Sequence, residues 1–117
     1  MDDLDLPELT RLRVEQELTA YCDRKVPLHV RDQVRLAFDL KGTHLTLFEE
    51  RAPFGDGTQW TRMPIAQFRF DPASAEWTLY CRDRRERWQP YRYAEPAKAI
   101  GALLHAVDAD QTRIFWG

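Results

Sequence analysis

A chain of 117 residues with 44% apolar side chains carries enough material for one hydrophobic core, so a single α+β domain over residues 1–117 is the expectation developed below. Two cysteines, a formal charge of −2 and no apolar run of spanning length argue against a disulfide framework, a generally basic phosphate-coating protein and a transmembrane helix. The acidic start "MDDLDLPELT" is unlike a secretory signal, which opens basic and turns apolar, so a cytoplasmic location is expected.

The charge is uneven: residues 1–23 hold seven acids against two arginines, which leaves the remainder net positive. Three of the 17 basic residues are lysines and asparagine is absent. That usage fits a GC-rich bacterial genome and carries no chemistry.

Asp5, Leu6, Pro7 and Glu8 read as a helix start, with Asp5 at the N-cap, Pro7 in the first turn and Glu8 completing a capping box. Val14, Leu18, Tyr21 and Cys22 recur at helical spacing, which predicts a helix over about 7–24, ended by Pro27. Val34, Leu36, Phe38 and Leu40 alternate with Arg35, Ala37, Asp39 and Lys41, the period of a half-buried strand. A turn at Lys41 and Gly42 would set Phe38 against Leu45 and Leu36 against Leu47, with all four on one face. The second strand ends near Glu50, and "FGDGTQW" reads as loop.

A third strand over about 63–70 places Ala66, Phe68 and Phe70 on one face, and "DPASAE" turns the chain into a fourth carrying Trp77, Leu79 and Cys81. A turn of two or four residues centred on Arg84 and Arg85 would set Cys81 opposite Trp88 and Leu79 opposite Pro90. Trp77 and Trp88 then point inward, and Thr78, Tyr80, Arg82, Arg87, Gln89 and Tyr91 outward. Pro96 opens a second helix with Ile100, Leu103, Leu104 and Val107 on its buried stripe, and "RIFWG" closes the chain as an extended tail or edge strand. The sum is an N-terminal helix, an antiparallel sheet of about five strands and a C-terminal helix, with both helices on one face.

The other face carries the functional question. Arg35, Phe48, Tyr80, Arg82, Arg87 and Tyr91, with Tyr93 beside them, combine rings and guanidinium groups as surfaces for single-stranded nucleic acid do. Protein interfaces favour the same residue types. Asp83 and Glu86 offset the nearby arginines, which ranks protein association, with a second copy or another chain, above nucleic acid. A third reading gathers Arg31, Asp32 and Arg35 at the start of strand one with Glu49, Glu50 and Arg51 at the end of strand two. That group makes either an ion-pair lattice or a small pocket for an acidic ligand.

Catalytic patterns are missing. His29, His44 and His105 have no ligand spacing, and "GDG" is too short for a phosphate loop. Ser74 lacks a nucleophile elbow, while Cys22 and Cys81 sit among apolar neighbours that would dull a thiol. No metal, cofactor or catalytic residue is assigned.

The stretches "HVRDQVRLAF", "LFEERAP", "WTLYCRDRRERWQPY" and "VDADQTRIFWG" resemble the bacterial family known as domain of unknown function 3024. The likeness rests on Arg31, Asp32, Arg35, Phe48, Glu49, Arg51, Trp77, Leu79, Tyr80, Trp88 and Tyr91, and spans nearly the whole chain. The chain departs from that pattern at Cys81, where a tryptophan is common, and at Gln89, where a histidine is common. The resemblance implies a small cytoplasmic bacterial protein and supplies no catalytic residue. The expectation is a noncatalytic homodimeric or partner-binding module using the outer sheet face, without membrane contact. Single-stranded nucleic acid, or an acidic ligand near the first hairpin, is the alternative.

Overall fold

The computed structural model describes residues 5–53 and 57–117; the first part of the expected 54–60 loop and the acidic residues before Asp5 lie outside them. Helix α1 runs Glu8–Lys25 and a 3-10 turn Leu28–Val30 follows. The strands are β1 Val34–Lys41, β2 His44–Arg51, β3 Thr61–Asp71, β4 Glu76–Arg82 and β5 Trp88–Pro90, and helix α2 runs Ile100–Ala109. Among the described residues no helix is long and apolar enough to cross a membrane.

α1 begins without the expected capping box. Pro7 occupies the N-cap with extended backbone and no side-chain cap, and its carbonyl accepts the Arg11 N–H at 2.9 Å. The extended entry lets Leu6 reach the core, where it is buried; burying a leucine gains about 1.5–3 kcal/mol, more than a cap is worth. The helical stripe is as the spacing predicts: Val14, Leu18, Tyr21 and Cys22 are all buried.

The sheet is an antiparallel meander in the order β1-β2-β3-β4-β5. Its first turn is Gly42 and Thr43, and Lys41 pairs with His44. Gly42 takes a φ of +59°, which glycine adopts at no steric cost. Phe38 therefore opposes Leu47 and Leu40 opposes Leu45, two positions from the expected pairing. A shift of two preserves the face, so Leu36, Phe38 and Leu40 still share the helix side with Leu45 and Leu47.

β3 is longer than its apolar run because it contains a bulge. Leu47 pairs with Ala66 but Phe48 pairs with Pro64, leaving Ile65 as the extra residue and placing the proline, which cannot donate to a ladder, at the irregularity.

The second hairpin corrects the sequence reading. Arg82 pairs with Trp88 and Tyr80 with Pro90, so the hairpin centres on Arg85, one residue away from an even-numbered turn. Glu86 N–H donates to the Asp83 carbonyl at 3.0 Å and Asp83 N–H to the Arg87 carbonyl at 2.9 Å, while Glu86 sits at φ +62°. This is a three-residue loop with a left-handed third position. An odd loop reverses parity. Trp88 moves to the outer face and Tyr91 to the helix side, where it is 5% exposed.

Both helices pack on the inner face. Val14, Leu18 and Tyr21 of α1 and Leu103, Leu104 and Val107 of α2 join Leu45, Leu47, Ala66, Phe68, Leu79 and Cys81 in a contiguous core. The Tyr21 hydroxyl donates to Asp108 Oδ1 at 2.8 Å and Lys25 Nζ donates to the same oxygen at 2.9 Å, which ties the helices together. α2 starts later than Pro96 suggests, because Ala97 first forms an antiparallel bridge with Trp77.

The tail forms no strand. Asp110 closes α2 in the left-handed region, and its carboxylate accepts the backbone N–H of Phe115 at 3.0 Å and of Trp116 at 2.9 Å. The tail folds back and buries Phe115.

Candidate binding face

On the face opposite the helices, strand alternation brings Arg35, Glu50 and Arg62 into one row across β1, β2 and β3. Glu50 is buried and accepts Arg35 Nε at 2.8 Å and Arg62 Nε at 2.8 Å. Arg62 also donates from Nη1 to Asp39 at 2.7 Å. The Arg35 hydrogen bond, helped by Arg62 and opposed by burial, holds the Glu50 carboxyl below the usual glutamate range. A carboxylate so held is a weak base and a firm electrostatic hub.

Each arginine of this face also covers a ring. The Arg35 guanidinium lies 3.9 Å from the Trp60 ring centre, Arg62 4.2 Å from Phe48 and Arg69 3.9 Å from Tyr80. Arg82 lies 5.8 Å from Trp88, near the limit of useful attraction. Arg69 donates to Gln67 Oε1 at 2.7 Å, and Gln67 donates to Thr46 at 3.0 Å. No carboxylate among the described residues pairs with Arg69. His44, the first residue of β2 and opposite Arg69, has its pKa lowered by partial desolvation and then by that guanidinium.

The structure brings Arg35, Phe48, Tyr80 and Arg82 together on this face. Arg87 stands in the hairpin loop, its Nε 3.2 Å from Asp83. The Asp83 carboxyl is held low by the N–H of Arg87 and then of Arg85. Tyr91 lies on the opposite side, edge-on to Phe115 at 4.9 Å and to Tyr93 at 5.6 Å. Its buried hydroxyl has no hydrogen-bond partner among the described residues.

The residues of the expected acidic-ligand pocket engage different neighbours. Arg31 Nε donates to the Val26 carbonyl at 2.9 Å and Nη2 to that of Asp23, closing the C-terminal end of α1. Asp32 is exposed. Glu49 and Arg51 pair with each other at 3.2 Å, on the other side of β2 from Glu50.

Three contributors escape a reading by period. Trp60 precedes β3 in a segment with no alternation, and Arg62 stands before the bulge, outside the apolar run. Glu50 is grouped in sequence with Glu49 and Arg51, yet its parity with Phe48 alone assigns it to this face. Cys22 is pushed up to about 11 by burial and by Asp23, and Cys81 is also raised, chiefly by burial; neither thiol is a ready nucleophile. Among the described residues no three His, Cys, Asp or Glu side chains are placed to hold a metal ion.

Residues 6–117 match the family model described as a domain of unknown function, DUF3024. No curated protein and no solved structure matches the chain.

Proposed function

The chain belongs to the DUF3024 family, a domain of unknown function, and we propose that it is a noncatalytic binding module whose bare sheet face receives a protein, either a second copy or another chain. One observation carries this reading. The rings of that face lie under guanidinium groups already neutralised, at the β1 to β3 end, by Glu50 and Asp39. Such a surface is rich in Arg and aromatic area without a surplus of positive charge, which suits a protein surface better than a phosphate backbone. Its arginines are held by hydrogen bonds before any partner arrives, which lowers the ordering cost of binding. A bacterial source fits the arginine-rich, asparagine-free usage.

Immobilised chain should retain a protein from a lysate of its source organism in a stoichiometric amount, and the double variant Arg69→Ser, Tyr80→Ser should lose it. Equal retention by the variant, or nothing retained, overturns the reading.

Arg69 favours a second reading, single-stranded nucleic acid. It stacks on Tyr80 and has no acidic partner among the described residues. Titration with a polynucleotide at low and high salt separates the two, because phosphate contacts weaken steeply as salt rises. Absence of binding at low salt removes this second reading.

A further inference from the structure

We infer that β1 pairs with β1 of a second copy, antiparallel and with Ala37 opposite Ala37, joining two five-stranded sheets into one. The surface is an edge of the sheet, so the inference goes beyond the face reading above.

The two edges of the sheet are treated differently by the sequence. β5 has three residues and ends in Pro90, after which the chain returns to bridge Trp77. β1 has eight residues without proline, an unbroken register against β2, and no other strand beside it among the described residues. A long, regular edge of this kind is a template for another strand unless it is shortened, kinked or covered.

The direction of its free groups follows from one bond. The Gln33 carbonyl accepts the Ala52 N–H at 2.8 Å, so it points toward β2. By alternation, the N–H and C=O of Arg35, Ala37, Asp39 and Lys41 also face β2, and those of Val34, Leu36, Phe38 and Leu40 face outward. A two-fold pairing must oppose outward-facing residues to one another, which leaves central registers on Leu36, Ala37 or Phe38.

Charge selects among them. Centring on Phe38 sets Arg35 against Lys41 of the second copy, and centring on Leu36 sets Arg35 against Ala37. Centring on Ala37 sets Arg35 against Asp39 and Asp39 against Arg35, both in the closer, non-hydrogen-bonded type of pair. The small Ala37 then stands at the axis. On the helix side the same register sets Leu36 against Phe38 and Val34 against Leu40, apolar residues that are only partly buried in one copy. Arg35 and Asp39 retain capacity for the new contact: their side chains are 48% and 41% exposed, and their bonds to Glu50 and Arg62 use Nε and Oδ2 alone.

Sedimentation of the natural chain should show a concentration-dependent dimer; a concentration-independent monomer overturns the inference. Under mild oxidation by copper phenanthroline, Ala37→Cys should form a covalent dimer, since facing positions of this kind lie within disulfide reach. Asp39→Cys should not, because its counterpart in the second copy lies four residues along, roughly 13 Å away. The natural thiols, Cys22 and Cys81, are buried. Equal cross-linking of both variants overturns the register. Leu36→Pro removes an outward N–H without touching the β1 to β2 ladder, and should weaken the dimer about tenfold or more; an unchanged dimer contradicts the edge. Added to Ala37→Cys, the double variant Arg69→Ser, Tyr80→Ser should leave the cross-link across β1 intact, so failure of the face and failure of the edge are read separately.

Discussion

Glu50 is the residue on which the outer face turns, since among the described residues it is the one carboxylate shared by two guanidinium groups. Its folded pKa lies below the ordinary glutamate value, so it adds stability above that ordinary value and loses it as pH falls through the depressed one. Glu50→Gln should therefore cost about 1–2 kcal/mol near pH 7, a figure reduced for the partial exposure of both arginines, and progressively less in acid. Urea denaturation of both proteins across the acid range checks this, and parallel curves would contradict it. Tyr91 presents the opposite case. Its buried hydroxyl has no partner among the described residues, and an unpaired polar group in a core is costly. Tyr91→Phe should be neutral or stabilising by up to about 1 kcal/mol in thermal melts, where a loss would show that the hydroxyl is satisfied.

At the scale of elements, the second hairpin shows how one loop residue decides which rings face out. Glu86 holds a left-handed conformation that glycine adopts without penalty. Glu86→Gly should stabilise the protein by about 0.5–1 kcal/mol while keeping the pairing of Arg82 with Trp88, readable as an unchanged tryptophan emission maximum. The two hairpins differ instructively. In the first, a misjudged turn moved the register by two and left every face as expected; in the second, a change of one exchanged Trp88 and Tyr91. Helix starts show a related effect, because Leu6 entering the core displaced the Asp5 cap and the bridge from Ala97 to Trp77 delayed α2 past Pro96.

Across the whole molecule, the tail closes the core beside Tyr91. Phe115 is 5% exposed and the Asp110 carboxylate holds its backbone, so Phe115→Ala should cost about 3 kcal/mol in equilibrium denaturation. A change under 1 kcal/mol would mean that the tail only rests on the surface. The same scale governs association. The chain carries a net charge of −2 and its outer arginines are largely paired, so binding through that face should depend only weakly on ionic strength, unlike a phosphate contact.

Which residues lie together within each strand was determined by the sequence alone, because alternation is a local property: Leu36, Phe38 and Leu40, then Leu45 and Leu47, then Ala66, Phe68 and Phe70, then Trp77, Leu79 and Cys81 all fall as their spacing requires. The helical stripe of α1 and the α+β order follow from the same kind of information. How one strand's parity joins the next was decided only in the tertiary structure, since it depends on whether a loop holds an odd or even number of residues, and Arg84, Arg85 and Glu86 carry no glycine to mark the left-handed position. The Arg35, Glu50 and Arg62 row was likewise settled by folding, because partners 12 and 15 residues apart meet only after register and bulge have set them opposite one another.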